Sequence, residues 1–276
     1  MTAGKMYRLG HRGLLRLKGK DVMQFLQGLV TNDIRHLADG QAQYALMLNS
    51  RGRVVEDFIL YRQADDVLVE SDRNKQADLQ KLLELYKVHK DVSIDLEMKS
   101  YLYHMDSIAD GSGAVKDPRV PSFGMRILRE SIPDDEILDG NAYHERRFDF
   151  GIPEGTSELS GELPLSMNAD IMNGISSDKG CYLGQEMTAR AINALEIRKR
   201  LLPFTCKGVV TGPLIDNEGR HEGRVVACNG RKGLALVPYL RDINRTTYMT
   251  KNGNIEIFWP FWWPSKLRAH SHQTLS

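Results

Sequence analysis

Ser177-Asp178-Lys179-Gly180-Cys181-Tyr182-Leu183-Gly184-Gln185-Glu186-Met187-Thr188-Ala189-Arg190 sets a thiol between two glycines, with a lysine ahead and a helix-like run behind. Gly180 and Gly184 permit backbone angles that Cβ-bearing residues avoid, which suits a tight loop. Glu186 stands where a helix N-terminus favours an acid. It is spaced i,i+4 from Arg190, a stabilising helical pair. A cysteine just before a helix N-terminus and near Lys179 is favoured as thiolate, the form that ligates metal or attacks. The same residues also fit a small buried thiol in a Gly-bounded turn.

Lys179-Gly180-Cys181-Tyr182-x-Gly184-Gln185-Glu186 resembles the signature of the YgfZ-type folate-binding family. That family includes a mitochondrial factor for iron–sulfur cluster assembly. It is related to the aminomethyltransferase (T-protein) of the glycine cleavage system, which lacks the cysteine motif. The resemblance spans roughly Tyr7 to Trp262-Trp263-Pro264. It implies an α+β fold: a T-protein-like ring of two α+β subdomains around a central cleft, plus a small C-terminal β-barrel. The folate-binding part is expected over 1–198, its subdomains split near 106–122, and the barrel with an aromatic tail over 199–276. The Cys181 loop is expected to face the cleft.

The resemblance further implies an accessory assembly factor on a transferase-like fold, with enzymatic turnover left open. It would mature mitochondrial [4Fe-4S] proteins with an A-type carrier. Cys181 would ligate a [2Fe-2S] cluster shared with that carrier, because clusters usually take four ligands and one thiolate cannot hold one alone. Lys179, Gly180, Tyr182, Gly184, Gln185, Glu186 and Asn168 would support the motif. Lys179 and the helix start would stabilise the thiolate charge, and Asn168 would support its loop. The protein is expected to be a monomer alone and a heterocomplex when active. Its place would be the mitochondrial matrix, or the cytoplasm in a bacterium.

Composition bounds these readings. The chain of 276 residues is long enough for one large or two moderate domains. Its net charge of +1 argues against broad attraction to nucleic acid or anionic membrane. No run of about 18 apolar residues predicts a membrane span. Cys181, Cys206 and Cys228 show no CxxC spacing, which disfavours a structural zinc site and fits a reducing compartment. The first residues lack a signal-peptide core, and Met1 to Arg8 is too short for a typical transit peptide.

Residues 7–18 read as a strand. Asp21 then caps a helix whose Val22, Phe25, Leu26 and Leu29 share one face. Tyr44 to Tyr61 reads as a hairpin turning at Asn49 to Gly52. Glu56 and Asp57 lie on opposite faces of its second strand, so one points inward and needs a partner or a raised pKa. An edge strand with both acids wet is the plainer alternative. The T-protein pattern Asn-x-x-Gly-Gly-x-x-Asp-Asp resembles Asn49, Gly52, Glu56 and Asp57, and its acid pair lies at the folate's reactive nitrogens. That resemblance makes Tyr44, Asn49, Glu56 and Asp57 folate-binding candidates, with tetrahydrofolate-dependent aminomethyl-type transfer as the alternative function.

Asp66 to Ser71 reads as a strand, and 73–90 as a helix with Leu79, Leu82, Leu83 and Tyr86 inward. Strands are expected over 91–97, 100–105 and 123–130, a surface loop over 106–122 and a helix over 134–148. By resemblance Arg147 would grip a folate-tail carboxylate, and Ser166 replaces an acid expected to hold the pterin ring. Asp170, four residues on, is the candidate to substitute for that acid. A structural role fits His144. Arg198-Lys199-Arg200 reads as a solvated or capping cluster after a helix over 186–197. Short, evenly spaced strands after Leu201 suggest a barrel, with Cys206 and Cys228 as buried thiols. The Trp259-to-Pro264 tail is expected to pack on the body, and 265–276 to be disordered. No Ser/Cys–His–Asp arrangement marks a nucleophilic enzyme.

Overall fold

The structure is a computed structural model that describes residues 5–107, 114–131, 137–138, 140–194, 197–216, 218–238, 246–265 and 267. The strand expected over 7–18 is two: β1 (Met6–Arg8) and β2 (Arg12–Lys18). A turn parts them, in which the Arg12 N–H donates to the Leu9 carbonyl at 3.0 Å. That turn sends the chain from one sheet to another. Helix α1 (Val22–Gln27) buries Val22, Phe25 and Leu26. Asp21 does not cap it through its side chain; the carboxylate instead accepts from the Asp91 N–H at 2.8 Å.

Strands β3 (Ala42–Leu48), β4 (Val54–Gln63) and β5 (Asp66–Asp72), helix α2 (Gln76–Lys87) and strand β6 (Ser93–Glu97) follow. They complete an antiparallel sheet of order β3-β4-β5-β2-β6. The β3–β4 hairpin turns at Asn49 to Gly52, as its pattern predicts. The Asn49 Oδ1 accepts from the Arg51 and Arg53 N–H groups, and Gly52 holds φ 71°. On α2, Leu79 and Leu83 are buried but Tyr86 is exposed, so the apolar face is narrower than its spacing suggests.

The second sheet takes β7 (Tyr101–Met105), β8 (Ala114–Lys116), β9 (Met125–Arg129) and β10 (Ile137–Leu138), in the order β10-β1-β7-β9-β8. The chain does not divide between these sheets at one point, because β1 joins the later one. Buried Met6 and Tyr7 account for that placement. The stretch 106–122, expected as a surface loop, carries β8 and two fully buried charges, Asp117 and Arg119; 108–113 lie outside the described residues. Helix α3 (Gly140–Asp149) covers the later part of the helix expected over 134–148.

A short helix α4 (Thr156–Leu159) and a run of turns lead to α5 (Gln185–Ala194). Strands β11 (Lys199–Cys206), β12 (Pro213–Ile215), β13 (His221–Asn229), β14 (Lys232–Pro238), β15 (Thr247–Thr250) and β16 (Gly253–Ile257) close a barrel of order β11-β14-β13-β12-β15-β16. Of the Arg198-Lys199-Arg200 cluster, Arg198 and Lys199 are exposed, as expected, but Arg200 is not. Lys199 and Arg200 open β11, and buried Arg200 grips both oxygens of Asp170 at 2.5 and 2.8 Å. The tail packs as expected: Trp263 is buried in the barrel core, and the Trp262 Nε1–H donates to the Phe150 carbonyl at 2.8 Å. Most of 265–276 lies outside the described residues. Among the described residues no helix is long and apolar enough to cross a membrane.

Candidate functional site

Three tethers hold the Cys181 loop. First, the Lys179 ammonium donates to the carbonyls of Gln27 at 2.8 Å, Val30 at 2.6 Å and Asn32 at 2.8 Å. These groups lie at and just past the C-terminus of α1, where carbonyls lack helical partners and cations are favoured. Burial pushes the Lys179 pKa down to about 8. The same ammonium sits 5.0 Å from the Tyr182 ring centroid, a cation–π contact. Second, backbone bonds run from the Leu183 N–H to Gly28 at 3.0 Å and from the Ser176 N–H to Thr31 at 3.1 Å. Third, Gly184, at φ 77°, presses on the β3–β4 turn: a Cβ there would lie 2.3 Å from the Asn49 carbonyl oxygen. Gly52 presses back on α5, where a Cβ would lie 2.7 Å from that of Met187. Asn49, Gly52 and Gly184 thus meet from stretches more than a hundred residues apart.

On this base Cys181 is exposed, four residues before α5. Gln185 completes the helix start, its Oε1 accepting from the Tyr182 N–H at 3.3 Å as in a capping box. Several motif residues act differently from expectation. Lys179 spends its donors on the end of α1, which makes it a positioning residue for the loop. Gly180 has open space around it, with no atom within 4 Å of an added Cβ. Asn168 does not support the loop; its Nδ2 donates to the Leu201 carbonyl at 2.7 Å and ties the 163–172 turns to the barrel. Glu186 and Arg190 form no ion pair among the described residues. No group of three or more His, Cys, Asp or Glu among the described residues is arranged to hold a metal ion.

Both acids of β4 are buried, so the wet edge-strand alternative does not hold. Burial first, then the charge of Asp57, pushes the Glu56 carboxyl up to about 8. Asp57 is fully buried, and its oxygens are already taken. Arg12 donates to them at 3.0 and 3.2 Å, and the Gly155 N–H donates at 2.9 Å. From there an ion network runs through the core. Arg12 binds Glu70, and Glu70 also accepts from the Tyr61 hydroxyl at 2.6 Å and pairs with Arg126 at 3.3 Å. Arg126 and Arg119 each grip both Asp117 and Glu154. Burial alone would raise the Asp117 and Glu154 carboxyls; the two arginines hold both well below the usual range. His11 closes the network at the rim, 2.6 Å from Glu154.

This network lies beneath a cleft of about 350 Å³ walled by His11, the ends of β2 and β5, α3, the 154–158 segment and β13. Arg147 lines the cleft, but its guanidinium is committed. It grips both Glu158 oxygens, donates to the Ile152 carbonyl at 3.0 Å and donates from Nε to His144 Nδ1 at 2.9 Å. His144 has the structural role expected; burial and Arg147 push its pKa down to about 4. The Tyr44 ring is buried against Gly174. Ser166 lines a separate cleft of about 520 Å³, between the 162–166 segment and α5, with Arg53, Met187 and Arg190. Asp170 does not substitute for the missing acid there, being held by Arg200. Sequence reasoning missed Arg12, Glu70, Arg126 and Glu154 altogether. The one available signal was Asp117-Pro118-Arg119.

The comparisons agree with this architecture. The GCVT N-terminal domain family matches residues 3–104, and the CAF17 C-terminal beta-barrel domain family matches residues 198–265. The human iron-sulfur cluster assembly factor IBA57, mitochondrial, is 32% identical over 309 residues, covering 96% of this chain and 86% of that protein. The chain belongs to the IBA57 family. The mouse IBA57 is 30% identical over 96% of this chain. A Neurospora crassa IBA57 homolog is 37% identical over 71% of this chain, and the match spans about half (52%) of that longer protein. IBA57 relatives are named mitochondrial, in agreement with the expected mitochondrial placement. The glycine cleavage aminomethyltransferase of Bartonella henselae superposes with a TM-score of 0.72, covering 92% of this chain and 84% of that one. At 14% identity it shares the fold, which is the T-protein-like α+β architecture with a closed C-terminal barrel expected of an IBA57-family chain.

Proposed function

We propose that this chain is an accessory factor in iron–sulfur cluster assembly, in which Cys181 lends one thiolate to a [2Fe-2S] cluster shared with an A-type carrier, on the way to [4Fe-4S] proteins. The observation that carries the reading is an exposed thiol on a firmly tethered loop. A ligand given to a partner must be accessible, and a fixed loop lowers the entropy lost on forming the complex. Cys181 supplies one of the four ligands that a cluster usually takes, so the others come from the carrier or a small thiol. Lys179 holds the loop at its set distance from α1.

Folate-dependent transfer has less support. Of its two candidate acids, Glu56 is buried and Asp57 is enclosed by Arg12, and its tail-binding arginine, Arg147, is held by Glu158. Native mass spectrometry of the chain mixed anaerobically with an A-type carrier, iron and sulfide tests the proposal. A one-to-one heterocomplex carrying two irons and two sulfides supports it. Cluster mass on the carrier alone contradicts it.

A further inference from the structure

Away from the Cys181 loop, Cys206 on β11 and Cys228 on β13 bring their sulfurs to 3.9 Å at one end of the barrel. Both residues are half-buried, where the sequence suggested full burial. Their strands are not neighbours, because β14 lies between them. At 3.9 Å the two sulfurs stand well beyond the roughly 2.0 Å of an S–S bond, and both thiols are free. The spacing matches another chemistry. Two thiolates on a tetrahedral metal, with metal–sulfur bonds of about 2.3 Å, lie about 3.8 Å apart.

Oxygen is also at hand. The Gly230 carbonyl lies 3.9 Å from the Cys206 sulfur and 4.0 Å from that of Cys228, and accepts from the thiols. The Val210 N–H donates to the Cys228 sulfur at 3.5 Å, so a polar donor also faces the pair. We infer that Cys206 and Cys228 form a second, thiophilic site that binds one divalent cation of the zinc group, independent of Cys181. Both thiol protons pass to solvent on binding, and the remaining positions are open to the Gly230 carbonyl and water. Burial and the neighbouring Cys228 push the Cys206 thiol up to about 11, so the metal competes with a firmly held proton.

Cadmium is the probe, read by its sulfur-to-metal charge-transfer absorption on the full chain carrying Cys181→Ser. The expected result is a band that saturates at one cadmium per chain and is lost when either Cys206→Ser or Cys228→Ser is added. The absence of a band, or one that survives either added change, overturns the inference. A second readout needs no barrel substitution. Peptide mapping after iodoacetamide should show Cys206 and Cys228 protected together by cadmium in the otherwise native chain. Unchanged alkylation of both overturns the inference equally.

Discussion

The Lys179 ammonium lies 2.6 Å from the Val30 carbonyl, joining residues 149 positions apart. The lysine of the cysteine motif is therefore an anchor that docks the thiol's loop on the end of α1. Hydrogen bonds to charged groups contribute about 1.5–3 kcal/mol each at best, offset here by the cost of burying the ammonium. Lys179→Gln should lower stability by about 1–3 kcal/mol in urea melts. Hydrogen exchange should quicken over 176–184 while the barrel is unchanged. Equal protection in both proteins would show that the loop does not depend on this anchor.

The two motif glycines should respond differently. Gly184→Ala places a methyl 2.3 Å from the Asn49 carbonyl at a positive φ, so the loop or hairpin must shift. A cost of about 1–3 kcal/mol is expected, with loss of the heterocomplex. Gly180→Ala meets open space and should stay within about 0.5 kcal/mol of the native chain. Thermal melts of the pair decide the matter; equal losses would contradict the packing of Gly184 on the hairpin.

Asp57 should behave as a structural acid. Asp57→Ala leaves Arg12 buried beside a lost partner, and breaking a buried pair costs about 3–5 kcal/mol. A catalytic or folate-binding acid would predict the reverse: unchanged melting with lost tetrahydrofolate binding. Urea unfolding together with a folate titration separates the two.

Glu56 should give the fold a visible pH dependence. Its carboxyl titrates near 8 when folded, against 4.5 when exposed. Between those values the folded chain binds more protons than the unfolded chain. The group's stabilising contribution is therefore complete below pH 4.5 and is lost as pH rises through about 8. Glu56→Gln removes this term. Its stability curve should be flatter over that window, by up to about 1.4 kcal/mol per pH unit, so it should gain on the native chain as pH rises from 4.5 to about 8, with no further gain above that. Parallel curves would contradict a protonated Glu56.

What the sequence disclosed was local. The β3–β4 hairpin followed from Asn49 to Gly52 between apolar runs, and the barrel from short strands with turns. Two adjacent acids in an apolar strand placed one of them inward; that both are buried did not follow, because the sequence does not show that the strand's second face is covered too. The Arg12–Asp57–Glu70–Arg126–Asp117–Arg119–Glu154 network did not follow, because its members come from separate strands and loops and no local period aligns them. The 106–122 stretch misled for a related reason: its Gly, Ser and Pro residues signal a surface loop, while Asp117 and Arg119 within it neutralise each other inside the core. Asn168 lies near the cysteine motif in sequence but points to the barrel, since the turns between them reverse the chain. The Cys206–Cys228 approach needed barrel closure across β14.

The most direct test of the central claim is visible absorption of the heterocomplex formed anaerobically with an A-type carrier, iron and sulfide, with the native chain beside Cys181→Ser. The account predicts cluster absorbance on the native heterocomplex and its loss in the variant, with both chains equally folded by circular dichroism. Equal absorbance in the two would contradict Cys181 as a cluster ligand.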